Sequence, residues 1–328
     1  MIGEKRMEHG EDVSRVVIVT GASSGIGAAT ARYFGARGWR VVLAARSAKA
    51  LERIAGEIQA VGGTALAVPT DVTQPSDITT LVERTMEAFK RIDVVVNNAG
   101  RGISGTLATI DLDVFAEVCH LNVLAPIAML QAVVPIMRRQ GGGVIVNVSS
   151  LTEVLPVPYM AGYGATKAAL GYLSDAAALE LGRDHIAVVK VLPGLTATAF
   201  AQNMAETGES LSLEQLLARA NLISAVPPER VAQAIWTAAH KRKSLRCTSK
   251  RDWFLSVMAR RAPDLTYALL RAAMQRYVTA EGQPSDADIR RDLRDLGLIV
   301  GAAGAAIAGI VTGIWLKVRK LKRDREHA

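Results

Sequence analysis

Residues 15–27 read RVVIVTGASSGIG, and this stretch decides the fold of the chain. Its first half, 15–20, is a short continuous apolar run, which is typical of a strand buried on both faces of a parallel sheet. Its second half, 21–27, holds three glycines that allow a tight turn, and a helical pattern follows through about Gly38. A strand, a glycine turn and a helix in this order predict that N–H groups at the start of the helix bind a phosphate group.

Strands alternate with helices from residue 15 to residue 198. Further apolar strands are predicted at 39–45, 65–69, 92–96, 144–148 and 186–192. Helical patterns lie between them, and one long apolar helix contains Asn122, which needs a hydrogen-bond partner there. This alternation predicts an α/β fold with a Rossmann-type, doubly wound parallel sheet, helices on both faces and a ligand at the carboxyl ends of the strands.

The end of the second strand bears on which dinucleotide the chain would bind. Where such a fold prefers NAD, an acidic residue there accepts the ribose hydroxyls, whereas an arginine suits a 2′-phosphate. Arg46 stands at this position, so NADP(H) is the predicted cofactor and NAD(H) the less favoured one; the alternative for Arg46 is a solvated arginine at a helix cap. Asp71 would hydrogen-bond the adenine amino group, or else cap the helix that begins near Pro75.

Tyr163 and Lys167 are four residues apart in a helical pattern, thirteen residues after Ser150. The i,i+4 spacing places phenol and ammonium on one face of the helix. Two unit charges about 4 Å apart at an effective dielectric of about 20 interact by about 4 kcal/mol. We therefore expect Lys167 to lower the pKa of Tyr163 toward the range in which a general acid/base works. Tyr-x-x-x-Lys also occurs by chance in helices, so the pair gains its weight from the motifs around it.

Together these motifs resemble the compact branch of the short-chain dehydrogenase/reductase family. In the order and at the spacing of that family, they are TGxxxGxG at 20–27, NNAG at 97–100, a helix asparagine at Asn122, a serine at Ser150, YxxxK at 163–167 and PGxxxT at 193–198. The resemblance covers about residues 15–200. Ser149 is an alternative to Ser150, although thirteen residues before the tyrosine is the family's usual spacing.

The resemblance implies a role for each matching residue. Ser150 would hydrogen-bond the substrate carbonyl, Tyr163 would give or take the proton, and Lys167 would lower the pKa of Tyr163 and hold the nicotinamide ribose. Asn122 would position a water that links Lys167 to solvent. The other positions implied to bind the cofactor are Gly21, Ser23, Ser24, Gly25, Ile26, Gly27, Arg46, Asp71, Val72, Asn98, Ala99, Gly100, Pro193, Gly194, Thr196 and Thr198.

Charge and cysteine content bear on other classes of partner. Of the formal net charge of +8, +4 lies in residues 317–328, and no basic patch with interleaved aromatic residues occurs, so no nucleic-acid partner is expected. Cys119 and Cys247 lie in no metal-like spacing, so no metal site is expected.

The C-terminal part of the chain differs from the catalytic part. We expect a disordered lead-in at 1–14, a catalytic domain at 15–250, a helical extension at 251–280, a linker at 281–296, an apolar helix at 297–316 and a basic tail at 317–328. Residues 297–316 are twenty residues without a charge, about 30 Å as a helix, which is long enough to span a bilayer. Small residues recur there every four positions, as on a membrane helix-packing face. An Ala/Gly-rich helix packed in a soluble protein is the alternative.

The predicted function is therefore an NADP(H)-dependent oxidoreductase that interconverts a ketone or aldehyde with an alcohol on a small lipophilic substrate. We expect a homo-oligomer at the membrane, with the catalytic domain in the cytoplasm where the cofactor is. The basic tail conflicts with a single membrane crossing by residues 297–316. Such a crossing would place the tail and the catalytic domain on opposite sides, whereas the positive charge of the tail favours the cytoplasmic side as well. A cofactor sensor without chemistry and a membrane scaffold are the alternatives; a sensor would not need to keep Ser150, Tyr163 and Lys167 together.

Overall fold

The computed structural model describes residues 15–210, 225–242, 246–268 and 270. Met1–Thr266 forms one compact unit and Tyr267–Ala328 a second. The predicted lead-in, linker, apolar helix and basic tail lie outside the described residues, as do residues 269 and 271–280 of the predicted extension at 251–280. The first unit contains the sheet and every predicted site residue.

The described part of the chain forms strands β1 Val16–Thr20, β2 Arg40–Ala45, β3 Thr64–Pro69, β4 Val94–Asn97, β5 Ile103–Ser104, β6 Gly143–Val148, β7 Ile186–Leu192, β8 Ala205–Glu206 and β9 Arg246–Cys247. Seven of them pair in parallel in the order β3-β2-β1-β4-β6-β7-β9. The strand order reverses direction between β1 and β4, which is where ligands bind in open α/β sheets. β5 and β8 form a small separate parallel sheet.

The helices whose bounds are described are α1 Gly25–Gly35, α2 Ala48–Ala60, α3 Pro75–Phe89, α4 Leu112–Cys119, α5 Ala125–Arg139, α6 Ala161–Leu181, α7 Pro228–Lys241 and α8 Lys250–Arg261. Short 3₁₀ helices occur at Leu151–Glu153 and Gly182–Asp184. Helices α1, α2 and α7 pack on one face of the sheet, and α3, α5 and α6 pack on the other. The predicted doubly wound α/β fold is confirmed.

Strand β1 is buried on both faces, which explains why apolar and polar residues do not alternate along it. Val17 and Val19 lie in the core on the α1 face, whereas Val16 and Ile18 lie in the core on the α5 face. All four side chains are fully buried. Burying a side chain of this size contributes about 1.5–3 kcal/mol, so both faces of the strand stabilise the centre of the domain.

The sequence pattern predicts one continuous helix around Asn122, but the helix in the structure is interrupted there. A π-helical turn, His120–Leu124, separates α4 from α5 and places Asn122 in its middle. Such turns are rare in proteins, and those that do occur are often found at functional sites. By length and composition the combined helix Leu112–Arg139 would also be able to cross a membrane, with 39% of its apolar window buried inside the protein. Core helices pass the same test, and α5 packs against the sheet.

Candidate active site

The glycine turn after β1 packs directly on the segment that follows β4. The Thr20 hydroxyl accepts hydrogen bonds from the backbone N–H groups of Asn98 (2.9 Å) and Ala99 (3.0 Å), and the Asn98 amide donates to the Thr20 carbonyl (2.9 Å). Gly21 has a φ of +65°, and a Cβ there would lie 2.8 Å from Nδ2 of Asn98. Glycine is therefore required at this turn, and Asn98 holds the two loops together.

The start of helix α1 faces the loop that follows β7. Gly25 has a φ of +52°, and a Cβ there would lie 3.2 Å from Cγ2 of Thr198. Ser24 is the N-cap residue and is exposed, yet its side chain makes no capping hydrogen bond. The first N–H groups of a helix need acceptors, and a phosphate is a suitable one. The predicted residues Ser23, Ser24, Gly25 and Ile26 thus lie at a helix start without a side-chain cap, opposite Thr198.

Arg46 and Asp71 lie near one another where strands β2 and β3 end. Arg46 is exposed and forms no ion pair with any residue that the structure describes. The Asp71 carboxylate accepts from the Thr73 N–H (3.0 Å) and hydroxyl (2.7 Å), and these bonds, together with the charge of Arg46, lower the pKa of Asp71. Gln74, rather than Asp71, is the N-cap residue of α3, and Val72 is buried beside this turn. The Arg46 guanidinium and the Asp71 carboxylate thus lie at this edge of the sheet, where the sequence predicted them to contact a dinucleotide.

Ser150, Tyr163 and Lys167 converge beyond the carboxyl end of β6. The Ser150 side chain faces the Tyr163 phenol and acts to lower its pKa. The Lys167 ammonium donates to the Val148 carbonyl (3.0 Å) and lies 5.7 Å from the centroid of the Tyr163 ring. Ser149 instead donates its hydroxyl to the Lys167 carbonyl (3.2 Å), which ties β6 to helix α6. Of the two neighbouring serines, Ser150 is therefore the one that faces the phenol.

The pKa of Tyr163 differs from the sequence expectation. Burial raises the pKa of Tyr163 to about 12, and the Ser150 side chain opposes that rise only in part. Burial also lowers the pKa of Lys167 to about 8, while the charge of Glu153 opposes that fall. Both effects arise because the side chains are almost completely enclosed, which disfavours the charged forms. Desolvation therefore outweighs the attraction that the i,i+4 spacing suggested.

Asn122 links the π-helical turn to both sides of the site. Its Oδ1 accepts from the Arg101 N–H (3.0 Å), and its Nδ2 donates to the Arg101 carbonyl (2.9 Å) and to the Thr166 hydroxyl (3.0 Å). Gly100 lies between Asn122 and Lys167. A Cβ at Gly100 would be 3.0 Å from Oδ1 of Asn122 and 3.5 Å from Nζ of Lys167. These bonds supply the partners that a buried asparagine needs.

The loop after β7 closes the opposite side of the site. The Pro193 carbonyl accepts from the Leu151 N–H (2.9 Å), which joins this loop to the 3₁₀ helix that follows Ser150. The Thr196 hydroxyl donates to the Gly194 carbonyl (3.1 Å), and the Thr198 hydroxyl accepts from the Phe200 N–H (3.3 Å). The predicted residues of this loop therefore lie in one continuous turn that is joined to the segment after Ser150.

An apolar cover lies over Tyr163. The rings of Phe200 and Tyr163 have centroids 5.4 Å apart, and the Met204 side chain packs against Gly102. Strand β8 holds this segment by pairing with β5. Phe200 and Met204 therefore form an apolar cover next to the Tyr163 phenol.

Sequence reasoning missed two buried charged residues near the site. Glu153 lies three residues after Ser150, and Lys190 lies inside the apolar strand β7. Their side chains are 6% and 3% exposed and form an ion pair (2.9 Å). The sequence did hold one indication of this pair, which is a lysine within an otherwise apolar strand. A buried charge needs a partner, so Lys190 predicts an acidic residue nearby.

The fold and the site together define a doubly wound α/β protein with a serine, a tyrosine and a lysine at the carboxyl ends of its strands. The family described as "short chain dehydrogenase" matches residues 15–209, more than half of the chain, and the chain belongs to that family. It is an oxidoreductase of the type that acts on alcohol and carbonyl groups.

Curated relatives and solved structures agree with this membership. The chain is 35% identical over 223 residues to a 3-oxoacyl-[acyl-carrier-protein] reductase of Synechocystis, covering 68% of this chain and 87% of the relative. It is 36% identical over 197 residues to a 7alpha-hydroxysteroid dehydrogenase of Bacteroides fragilis, covering 58% and 74%. A short-chain dehydrogenase of Sphingobium yanoikuyae in complex with NADPH has a TM-score of 0.63 at 28% identity, covering 83% of this chain and 99% of that one. Other similar structures hold NADP, NAD or NADH.

Proposed function

We propose that this protein interconverts a ketone or aldehyde with an alcohol on a small lipophilic substrate, using NADP(H). The observation that carries the proposal is the convergence of the Ser150 hydroxyl, the Tyr163 phenol and the Lys167 ammonium at one end of the sheet. A hydroxyl and a phenol side by side suit a carbonyl oxygen, since both can donate to it as negative charge develops there.

Each of these side chains has one role in the proposed reaction. Ser150 donates a hydrogen bond that orients and polarises the carbonyl. Tyr163 gives its proton to the oxygen during reduction and takes it back during alcohol oxidation. Lys167 stabilises the tyrosinate that remains and holds the cofactor ribose, and Asn122 keeps the neighbouring turn in place. The nicotinamide ring, when bound, supplies or accepts the hydride.

The residues around the groove suit a dinucleotide that carries a 2′-phosphate. Gly21 and Gly25 leave room where side chains would otherwise stand, and the uncapped start of α1 offers N–H groups to a pyrophosphate. Arg46 is exposed and has no ion-pair partner within the described part of the chain, so its guanidinium is available to a phosphate. This arrangement favours NADP(H) over NAD(H).

The lining of the site favours an apolar substrate. Tyr163 belongs to a cluster of apolar side chains formed by Ile103, Val118, Met160, Met204 and Ala205, with Ile110, Val114, Phe115, Val157 and Phe200 packed against it. Burying apolar surface contributes about 25 cal/mol per Å², so a carbonyl compound with a long or polycyclic apolar body would gain most from this lining. The names of two relatives, an oxoacyl reductase and a hydroxysteroid dehydrogenase, are in keeping with such substrates.

Replacing Tyr163 tests the proposal, because helix α6 carries a second tyrosine that serves as a control. Tyr163→Phe should abolish NADPH-dependent reduction over a panel of lipophilic ketones and aldehydes while NADPH still binds, measured by nucleotide fluorescence. Tyr172→Phe removes the same hydroxyl from a residue that is 77% exposed, and it should keep full activity. Turnover by Tyr163→Phe at the unmodified rate would contradict the assignment of the proton donor.

The C-terminal segment supports a membrane location for the same enzyme. We propose that residues 297–316 hold the protein at a membrane with its catalytic domain in the cytoplasm, and that the small residues of this segment pair copies into a homo-oligomer. Ile310→Lys introduces a charge into the segment, which is costly in a bilayer. It should move the protein from the membrane fraction to the supernatant without changing its reductase activity. If the unmodified protein and Ile310→Lys were found in the membrane fraction in equal amounts, residues 297–316 would not be what holds the protein at the membrane.

A further inference from the structure

Four charged side chains form a cluster beneath the proposed active site. Lys190 of β7 donates to the carboxylates of Glu153 (2.9 Å) and Asp175 (2.6 Å) and to the Gly171 carbonyl (3.2 Å). Arg260 of α8 donates to the same Glu153 oxygen, Oε1, at 3.1 Å. Lys190 thus uses all three of its N–H groups, and Glu153 connects the sheet to helix α8.

The Glu153 end of this cluster is closely enclosed. Its side chain is 6% exposed, and a Cβ at Gly171 would lie 2.3 Å from its Cδ. Its second oxygen, Oε2, has no hydrogen-bond partner among the described residues, so the two ion pairs on Oε1 compensate the buried charge alone. A fully exposed ion pair contributes little to stability. Removing one partner of a buried charge is strongly destabilising, so these contacts constrain where Glu153 can be.

Glu153 is directly connected to the serine of the site. It ends the 3₁₀ helix that begins after Ser150, and its N–H donates to the Ser150 carbonyl (3.0 Å). The Ser150 hydroxyl also accepts from the Thr152 N–H (3.2 Å). A displacement of Glu153 would therefore move the turn that aims the Ser150 hydroxyl at Tyr163.

The other end of helix α8 packs on the loop that follows β7. Asp252, 1% exposed, accepts from the Thr248 hydroxyl (2.8 Å), and the Gly194 N–H points at that hydroxyl (3.5 Å). A Cβ at Gly194 would lie 2.5 Å from Oδ1 of Asp252. Helix α8 therefore contacts both loops that flank the phenol, one near each of its ends.

We propose that helix α8 is a positioning element for the active site, in which Arg260 acts through Glu153 to hold the Ser150 turn while Asp252 supports the Gly194 loop. The inference rests on the proposed function for its kinetic consequence. The match to the family ends at residue 209, so α8 lies in the part of the chain that the family match does not cover. Arg260 and Glu153 touch no reacting group and are positioning residues.

Kinetics on the full-length chain test the catalytic part of this inference. Arg260→Gln should lower kcat for carbonyl reduction about ten-fold, because small misplacements of a catalytic group are costly, with the KM for NADPH unchanged. Arg260→Lys keeps the charge and should restore most of the rate. Arg261→Gln changes the adjacent exposed arginine and should have no effect. Adding Arg260→Gln to Glu153→Gln should cause no further loss, because the two residues act as one unit.

Hydrogen exchange tests the positioning itself without any substrate. In Arg260→Gln, the amides of residues 151–155 should exchange faster than in the unmodified protein, and in Arg261→Gln they should not. If the unmodified protein reduces no carbonyl with NADPH, the proposed function fails while the exchange result still decides the role of α8. Equal exchange and equal kcat in Arg260→Gln and Arg261→Gln would overturn the inference.

Discussion

The ring of Phe200 packs against the ring of Tyr163, with centroids 5.4 Å apart and ring planes inclined by 54°. Phe200 lies only two residues after Thr198, so one short segment contributes both to the proposed cofactor groove and to the cover over the phenol. The contact helps to exclude water from Tyr163, and exclusion of water is what raises the pKa of Tyr163 to about 12.

Phe200→Ala should therefore admit water and lower the pKa of Tyr163 toward its ordinary value of about 10. Alcohol oxidation needs the tyrosinate, so its rate should rise at a lower pH in the variant than in the unmodified protein. Phe200→Leu keeps an apolar cover and should shift the profile less. The pH dependence of kcat for oxidation measures both, and identical profiles for all three proteins would contradict the role of Phe200.

Arg46→Ala should raise the KM for NADPH about ten- to hundred-fold, since one hydrogen bond to a charged group contributes about 1.5–3 kcal/mol. The KM for NADH should not change, because NADH has no 2′-phosphate. Arg53→Ala serves as the control: Arg53 is also exposed, in the helix α2 that follows Arg46, but it pairs with Glu57. An equal effect on both nucleotides would show that Arg46 does not read the phosphate.

The pKa of Lys167 predicts the alkaline behaviour of the free enzyme. Because burial lowers the pKa of Lys167 to about 8, the ammonium loses its proton as the pH rises through that value. The ratio kcat/KM for NADPH reports the free enzyme, so it should fall above about pH 8. Lys167→Arg stays charged and should show no such fall, whatever its maximal rate. An alkaline limb that persists in Lys167→Arg would have to come from another group.

Asn122→Asp should destabilise the fold, because the new oxygen cannot donate to the Arg101 carbonyl or the Thr166 hydroxyl. A buried polar group left without its partner costs about 1–3 kcal/mol in the free energy of unfolding, and more when it is charged. Asn203→Asp makes the same change in an exposed asparagine and should stay within about 0.5 kcal/mol. Urea unfolding measures the difference, and equal midpoints would contradict the importance of the Asn122 bonds.

Gly171→Ala should also destabilise, by about 1–3 kcal/mol, because the added methyl group would overlap the Glu153 carboxylate. Gly56→Ala in α2 is the opposite case, since nothing lies within 4 Å of its Cβ position. There the substitution should stabilise by about 0.5–1 kcal/mol through helix propensity. Thermal unfolding of both variants separates the two effects, and a shift of the same sign in both would argue against a tightly packed Glu153.

Much of the fold could be predicted from the sequence because its causes are local. The apolar run 15–20 is typical of a strand buried on both faces, and the glycines after it allow a tight turn that side chains would obstruct. The parallel order of the strands then brings Asn98, Ser150 and Gly194 to one edge of the sheet. What the pattern could not indicate was the π-helical turn at Asn122, because its side-chain spacing differs little from that of a continuous helix.

By itself, the sequence determined the family, the doubly wound sheet and which polar side chains stand at its carboxyl edge. Only the tertiary structure decided how those side chains are enclosed. Burial, rather than the neighbouring ammonium, sets the pKa of Tyr163, because desolvation depends on every group packed around the phenol. Tertiary packing likewise joins Glu153 to Arg260 across 107 positions of the chain. No periodicity records a contact of that kind, since it arises only when separate helices and loops pack against the same strand ends.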